Sequence, residues 1–201
     1  MAGPQTDIEI MSSAAVLLGQ APFTTITESD KFSVGMQQIY DLMVPSILTE
    51  AHWKFARKYQ QLNLSVDEVD FAQWSSAYNL PSDLISVYRL YPNVDYEVVG
   101  NQIYTGTSGQ LKLEYIYQAP VSKWSEPFKE YFVYALAAKL ALSTAEDRNM
   151  AQYLERISAQ KKSSAMWVDA QSSPNRGIQS KPWINVRRVA SNNFDYFNEG
   201  N

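Results

Sequence analysis

The sequence predicts a mainly α protein with a β insertion, an α+β fold. Three observations carry that expectation. Apolar residues recur three and four apart in two blocks at the ends of the body. Between the blocks the period drops to two, with branched and aromatic residues. Beyond residue 170 neither period is kept. The expected architecture is a helical bundle with a small antiparallel β subdomain and an extended C-terminal arm. Residues 1–60 and 125–170 supply the bundle, 61–124 the insertion and 171–201 the arm.

The first helix opens at Asp7, a good N-cap, and carries Ile8, Met11, Ala15 and Leu18 before the stop signal Gly19. A second, longer helix is capped by Ser29 or Asp30. Phe32, Met36, Ile39, Met43 and Ile47 form its stripe, and Leu48, Ala51 and Phe55 prolong it. Pro45 lacks an amide proton and should kink this helix, because the period continues across it. Leu62, Leu64 and Val66 then alternate as a half-buried strand does, and Asp67, Glu68 and Asp70 mark an exposed turn. A strand is expected over Leu84 to Tyr91. Tyr96 to Val99 and Gln102 to Thr105 flank Gly100-Asn101 as a two-residue hairpin. Leu111 to Tyr117 is the clearest alternating strand, with Lys112 and Glu114 on its polar face.

Ser125 is the expected cap of a third helix, with Glu126 and Pro127 in its first turn. Phe128, Tyr131, Phe132, Ala135, Ala138 and Leu142 form its stripe, and its alanines permit close helix approach. A fourth helix begins near Asp147, with Met150, Tyr153, Leu154 and Ile157 on its apolar face. Ser158 to Ser164 is polar, and Met166 and Trp167 resume the apolar signal.

Composition narrows the chemistry. The 201 residues include no Cys and one His, which excludes a disulfide framework, a thiolate metal site and a Cys nucleophile. A net charge of −4 argues against a dedicated nucleic-acid binder. No stretch reads as a signal peptide, and the apolar run from Tyr131 to Leu142 contains Lys139 and is too short for a bilayer. We therefore expect a soluble protein made inside the cell.

Few motifs suggest catalysis. His52 is read as a helix-end or interface histidine, since Glu50 does not share its helix face. The Asp67–Glu68–Asp70 group lacks the grammar of a calcium loop. Thr105-Gly106-Thr107-Ser108-Gly109 lies between strands with no Lys-Ser/Thr after it, so a hairpin loop is expected rather than a phosphate cradle. No catalytic residue, metal ligand or cofactor is assigned. The five Trp and 13 Tyr fit core and subunit-contact roles, where aromatic rings supply large area.

Residues 171–201 stand apart. Four basic and two acidic side chains give this segment +2, against −6 for the remainder. It also holds Trp183, Ile184, Val186, Val189, Phe194, Tyr196 and Phe197, too many apolar groups for a solvating tail. Such a segment is expected to order on a partner.

Two motifs bear on function. One is Tyr40, Val44-Pro45 and Leu48 followed by Trp53-Lys54-Phe55-Ala56. The other is Trp74, Tyr78, Leu80-Pro81 and Asp83, in the pattern W-x-x-x-Y-x-L-P-x-D. With Leu113 to Tyr117 and the helix from Phe128 to Leu142, the stretch from Ile8 to Ala170 resembles the head-to-tail adaptors of short-tailed bacteriophages, including those called tail tubular protein A.

The resemblance implies a non-enzymatic virion protein. It would form a homo-oligomeric ring, a dodecamer, beneath the portal protein at the head–tail junction, after assembly in the host cytoplasm. The ring would bear the tail nozzle and the fibre or spike proteins, and DNA would pass through without specific binding. The resemblance also implies an arm that docks on the portal, for which Trp183, Ile184, Val186, Arg187, Arg188, Phe194, Tyr196 and Phe197 are the candidates. Trp53, Phe55, Ala56, Trp74, Tyr78, Leu80, Pro81 and Asp83 are its structural motif. Two other classes stay open on the residues alone. One is a virion-associated cell-wall hydrolase using two carboxylates. The other is a generic partner-binding module with an aromatic surface.

Overall fold

The computed structural model describes residues 6–27, 29–65, 73–144 and 148–172, with the side chains of residues 143 and 144 excepted. Four helices and two small antiparallel sheets make up an α+β fold. The compact body ends at Ala170, which separates it from residues 171–201.

Helix α1 spans Asp7–Leu17. Its cap is Thr6, one residue before the one expected. Thr6 Oγ1 accepts from the Glu9 amide and the Glu9 carboxylate accepts from the Thr6 amide, a reciprocal capping box. Asp7 is thereby free to accept a hydrogen bond from the Tyr40 hydroxyl at 2.9 Å. The helix ends as its sequence predicts. Gly19 takes φ +74°, Gln20 N–H reaches the Ala15 carbonyl and Gly19 N–H the Val16 carbonyl. Only glycine enters that left-handed region without strain.

Helix α2 spans Lys31–Glu50 and is capped by Asp30 through the amides of Phe32 and Ser33. It runs unbroken through Pro45. It does not continue to Phe55, as the apolar stripe suggests. Ala51 is already extended, and Lys54–Ala56 forms a separate 3-10 turn. The stripe outlasts the helix because Trp53 folds back. Its indole N–H donates to the Ile47 carbonyl at 3.1 Å, a group that the last helical turn leaves without a partner.

The β region is two sheets. Strands β1 (Arg57–Gln61), β4 (Leu84–Tyr91) and β7 (Lys112–Tyr117) form one sheet in the order β1-β7-β4. Strands β2 (Asn63–Leu64), β3 (Ser76–Asn79), β5 (Tyr96–Val99) and β6 (Gln102–Thr105) form the other, in the order β2-β3-β6-β5. Val99 pairs with Gln102 across Gly100-Asn101, and Gly100 has φ +60°, so the expected two-residue hairpin is present. The expected alternation from Leu62 through Leu64 to Val66 does not describe one strand. Leu62 is a buried link between β1 and β2, Leu64 is exposed, and Val66 lies outside the described residues with the turn at Asp67, Glu68 and Asp70.

Helix α3 spans Glu126–Thr144 and α4 spans Arg148–Gln171. Ser125 stands at the α3 cap position and its carbonyl accepts from Lys129 N–H. Its hydroxyl, however, is buried without a hydrogen-bond partner, so the expected side-chain cap is not made. Helix α1 packs against α3, and the two helices bury Ile10, Ala14 and Ala15 on one side and Leu136, Ala137, Leu140 and Ala141 on the other. Small residues on both sides allow that close approach. Helix α4 buries Ala151, Leu154, Ser158 and Ala165. Polar ties add Lys161 to Glu130 at 2.6 Å and Lys162 to Glu50 at 2.7 Å, and Asp169 accepts from the Lys54 amide.

The centre of the core is aromatic. Trp53, Trp124 and Phe55 place their rings 4.7, 4.9 and 4.8 Å from the Phe128 ring. Phe132 lies 5.0 Å from Trp124 and 5.4 Å from Tyr40. Each such pair adds about 0.5–1.5 kcal/mol beyond area burial. Trp53→Ala removes a buried ring that meets Phe55, Phe128 and Tyr131, together with a helix-end hydrogen bond. It should cost about 3–5 kcal/mol in urea denaturation, whereas exposed Gln152→Ala should stay within about 0.5 kcal/mol.

Buried tyrosines make the fold sensitive to alkali. Burial, then the Asp7 charge and hydrogen bond, hold Tyr40 far above the ordinary tyrosine value of 10.0. Burial and the bond to Glu50 do the same for Tyr131, while burial and the bond to Asp83 push Tyr115 up to about 12. These groups keep their protons longer when folded than when unfolded. Their contribution is complete below pH 10.0 and is lost as pH rises through the folded values. Melting temperature should therefore fall steeply between about pH 10 and pH 12, and Tyr131→Phe should make that fall shallower.

Candidate interaction surface

The eight motif residues hold the fold and do not converge on one cavity. Trp53 and Ala56 are buried beneath the end of α2, with Phe55 half-buried beside them. Trp74 donates its indole N–H to Glu97 at 2.9 Å, tying the start of β3 to β5. The buried Tyr78 hydroxyl reaches the carbonyls of Thr107 at 3.2 Å and Gly109 at 2.6 Å. It thus pins the Thr105–Gly109 segment as the loop from β6 towards β7. Leu80 is buried and Pro81 partly so. Asp83 bonds Lys58 at 2.5 Å and accepts from the Tyr115 hydroxyl at 2.8 Å. The Lys58 bond, followed by Tyr115, holds its carboxyl below the usual carboxylate range despite partial burial.

The arm candidates Trp183, Ile184, Val186, Arg187, Arg188, Phe194, Tyr196 and Phe197 lie outside the described residues. Among the described residues, no three His, Asp or Glu side chains come together as a metal-binding group, and no helix is long and apolar enough to cross a membrane. A groove of about 360 Å3 lies between α2, α3 and α4, with Met43, Ile47, Ala138 and Ala151 in its lining. Glu50 at its edge accepts from both Lys162 and the Tyr131 hydroxyl, so that carboxylate already has its partners.

The most organised polar cluster sits on one face of the three-stranded sheet. Glu114 is on the central strand and only 1% exposed, so of the expected polar face of β7 only Lys112 stays exposed. Arg57 and Tyr59 of β1 both donate to its Oε1 at 2.8 Å, and Tyr91 of β4 donates to Oε2 at 3.0 Å. Register explains the meeting. Tyr59 and Arg89 stand opposite Glu114, while Arg57 is two residues along β1 and Tyr91 two along β4. The hydrogen bond to Glu114, followed by burial, raises the Tyr59 hydroxyl above its ordinary value.

A bulge widens the cluster. The pairing of β4 with β7 slips between Val87 and Arg89, so Tyr88 is an extra residue. Bulges re-aim side chains. Here the Tyr88 ring lies 5.4 Å from the Arg57 guanidinium, 5.7 Å from that of Arg89 and 4.3 Å from the His52 ring. The Arg89 guanidinium is also 5.9 Å from the Tyr91 ring. The result is a cation–aromatic surface over a buried carboxylate, with Tyr59 still 64% exposed. His52 belongs to its margin, just past the end of α2, and is exposed. The sequence does contain a signal for this face, in the pairs Arg57/Tyr59, Arg89/Tyr91 and Lys112/Glu114 spaced two apart.

Further large apolar groups stay uncovered elsewhere. Leu42 on α2 is 75% exposed, and α4 presents Met150, Tyr153, Met166 and Trp167. No protein-family model matches this chain, and no curated protein is similar to it.

The Glu114 cluster should be worth more as a unit than as separate bonds. Glu114→Ala strands the Arg57 guanidinium, whose side chain is 20% exposed, and should cost about 3 kcal/mol, the lower end for a broken buried ion pair. Tyr91→Phe should cost about 1 kcal/mol. Hydrogen exchange should show Glu114→Ala loosening β1 and β4 together while leaving α1 and α3 protected.

Proposed function

We propose that this chain is a structural virion protein, a ring-forming adaptor that joins the capsid portal to the tail and lines the DNA exit channel. The observation that carries the reading is the W-x-F-A helix end followed by W-x-x-x-Y-x-L-P-x-D, set in the order helix, helix, β insertion, helix, helix. Those residues position elements rather than chemistry. Trp53 closes α2, Tyr78 fixes the loop after β6, and Asp83 locks β4 to β1 through Lys58.

Uncovered side chains on several elements support the same reading. A ring of identical subunits needs two different faces on each, because a head-to-tail contact closes only when one face of a copy meets another face of the next. Leu42 on α2, the tyrosine–arginine face of the sheet, and Tyr153 with Trp167 on α4 offer such faces. The body carries net negative charge, which suits a channel through which DNA must slide without being held. In this proposal residues 171–201 dock on the portal. Trp183 and Ile184 would supply apolar contact, and Arg187 and Arg188 charge.

The aromatic sheet face also favours the plainer idea of a partner-binding module, which predicts one bound partner and no ring. Native mass spectrometry separates the two. Mixed with the portal protein of its own phage, the full chain should appear as a complex with many copies of itself per portal ring. A chain ending at Ala170 should stay folded and lose that complex. A chain that forms no complex with portal, or binds as a single copy, overturns the adaptor reading.

A further inference from the structure

We propose that the sheet face bearing Tyr59, Tyr91 and Arg89 is the socket for the Leu42 side of α2 of a second copy of this chain. Arg89 and Lys112 of one copy then meet Asp41 of the other. The inference deepens the ring reading above and rests on it, since it names the two surfaces that neighbours bring together.

The socket is built in advance. Tyr59, Tyr91 and Arg57 are all held by the Glu114 carboxylate at 2.8 to 3.0 Å, and Arg89 lies over the Tyr88 and Tyr91 rings. Side chains already held in place lose less freedom when a partner arrives. Tyrosine and arginine are also the residue types that dominate binding energy at protein contacts. Its charge is unbalanced. Glu114 neutralises Arg57, whereas exposed Arg89 and Lys112 have no carboxylate partner among the described residues. Lys112 is two residues from Glu114 on the same strand and shares its face.

The knob answers both features. Leu42 has the highest exposure of any large apolar side chain among the described residues. Asp41 beside it is exposed and has no cationic partner among them. Gln38, one turn earlier, is exposed on the same side. A carboxylate next to a leucine fits tyrosine rings edged by two cations.

Two other occupants fit less well. A nucleic-acid strand needs a row of cations along its phosphates, and this face offers two that are unpaired. A second sheet face would set Arg89 and Lys112 against their own kind. The contact is therefore heterologous, socket to knob, which is the kind that builds rings.

The absence of cysteine makes a clean test possible. Gln38→Cys and Gln61→Cys each place one thiol at the rim of one surface, on exposed positions that leave the named contacts intact. The two variants are mixed in equal amounts and treated with a short bis-maleimide. The expected product is a dimer joining the two variants, with little product from either alone. Arg89→Glu in the Gln61→Cys chain should lower the yield about tenfold, and Asp41→Arg in the Gln38→Cys chain should restore most of it. Like-with-like dimers, no cross-link, or a yield indifferent to Arg89→Glu would each overturn the proposal. Copy number on portal is counted separately. Rings that form there with an unaffected Arg89→Glu chain would leave the ring reading standing and refute these two surfaces. A mixed, charge-dependent cross-link without portal rings would do the reverse.

Discussion

Phe128 is where the two ends of the β insertion are joined. The chain leaves the helices at Trp53 and returns to them at Trp124, and both rings lie within 5 Å of the Phe128 ring. Both indole N–H groups are committed at a segment end. Trp53 donates to the Ile47 carbonyl of α2, and Trp124 to the Ala119 carbonyl just after β7, at 2.8 Å. Each tryptophan therefore ends one element, buries a large ring and sets the direction of the next. The helices can close around α3 only if the intervening seven strands begin and end at adjacent points, and this aromatic joint holds those points together. The pairing of β1 with β7, which sets Arg57 opposite Ile116, brings the same two ends together from the sheet side.

The same joint explains which parts of the fold were legible. The α1 stop at Gly19, the Gly100-Asn101 hairpin and the four helices were readable because local chemistry decides them. A left-handed residue, a two-residue turn or a 3.6-residue period needs no distant partner. The apolar stripe overruns the end of α2 because Ala51 and Phe55 keep the helical spacing of apolar residues while belonging to a different segment of the same core. Burial sets that spacing, and burial does not distinguish a helix from a chain that folds back on itself. Strands β1 and β3 were missed for a related reason. Arg57-Lys58-Tyr59-Gln60-Gln61 carries polar side chains, and only its pairing with β7 makes it a strand.

The candidate surface was legible only in part. Of the motif residues, Trp53, Trp74, Tyr78 and Asp83 make hydrogen bonds or ion pairs that tie one element to another. The Glu114 cluster was not foreseen, since Lys112 and Glu114 read as one solvated face. What covers Glu114 comes from β1 and β4, distant in sequence, and from an extra residue at Tyr88 that no periodicity announces. Buried charge is costly in isolation. It is tolerated here because both oxygens are met by donors, one of them cationic.

That arrangement also explains why the sheet face keeps a carboxylate where leucine could pack. Replacing a buried ion pair by apolar groups is often neutral or better for stability, so stability alone does not account for Glu114. Specificity does. Glu114 takes donors from both edge strands, and a slip of one residue on either would turn those donors to the opposite side of the sheet. An apolar side chain would accept any neighbour that fills space. The carboxylate accepts one register, and with it one placement of Tyr59, Tyr91 and Arg57 on the outside. The interaction that fixes the sheet thus also fixes the chemistry it presents, and Tyr59, Tyr91 and Arg57 are held by the chain's own hydrogen bonds.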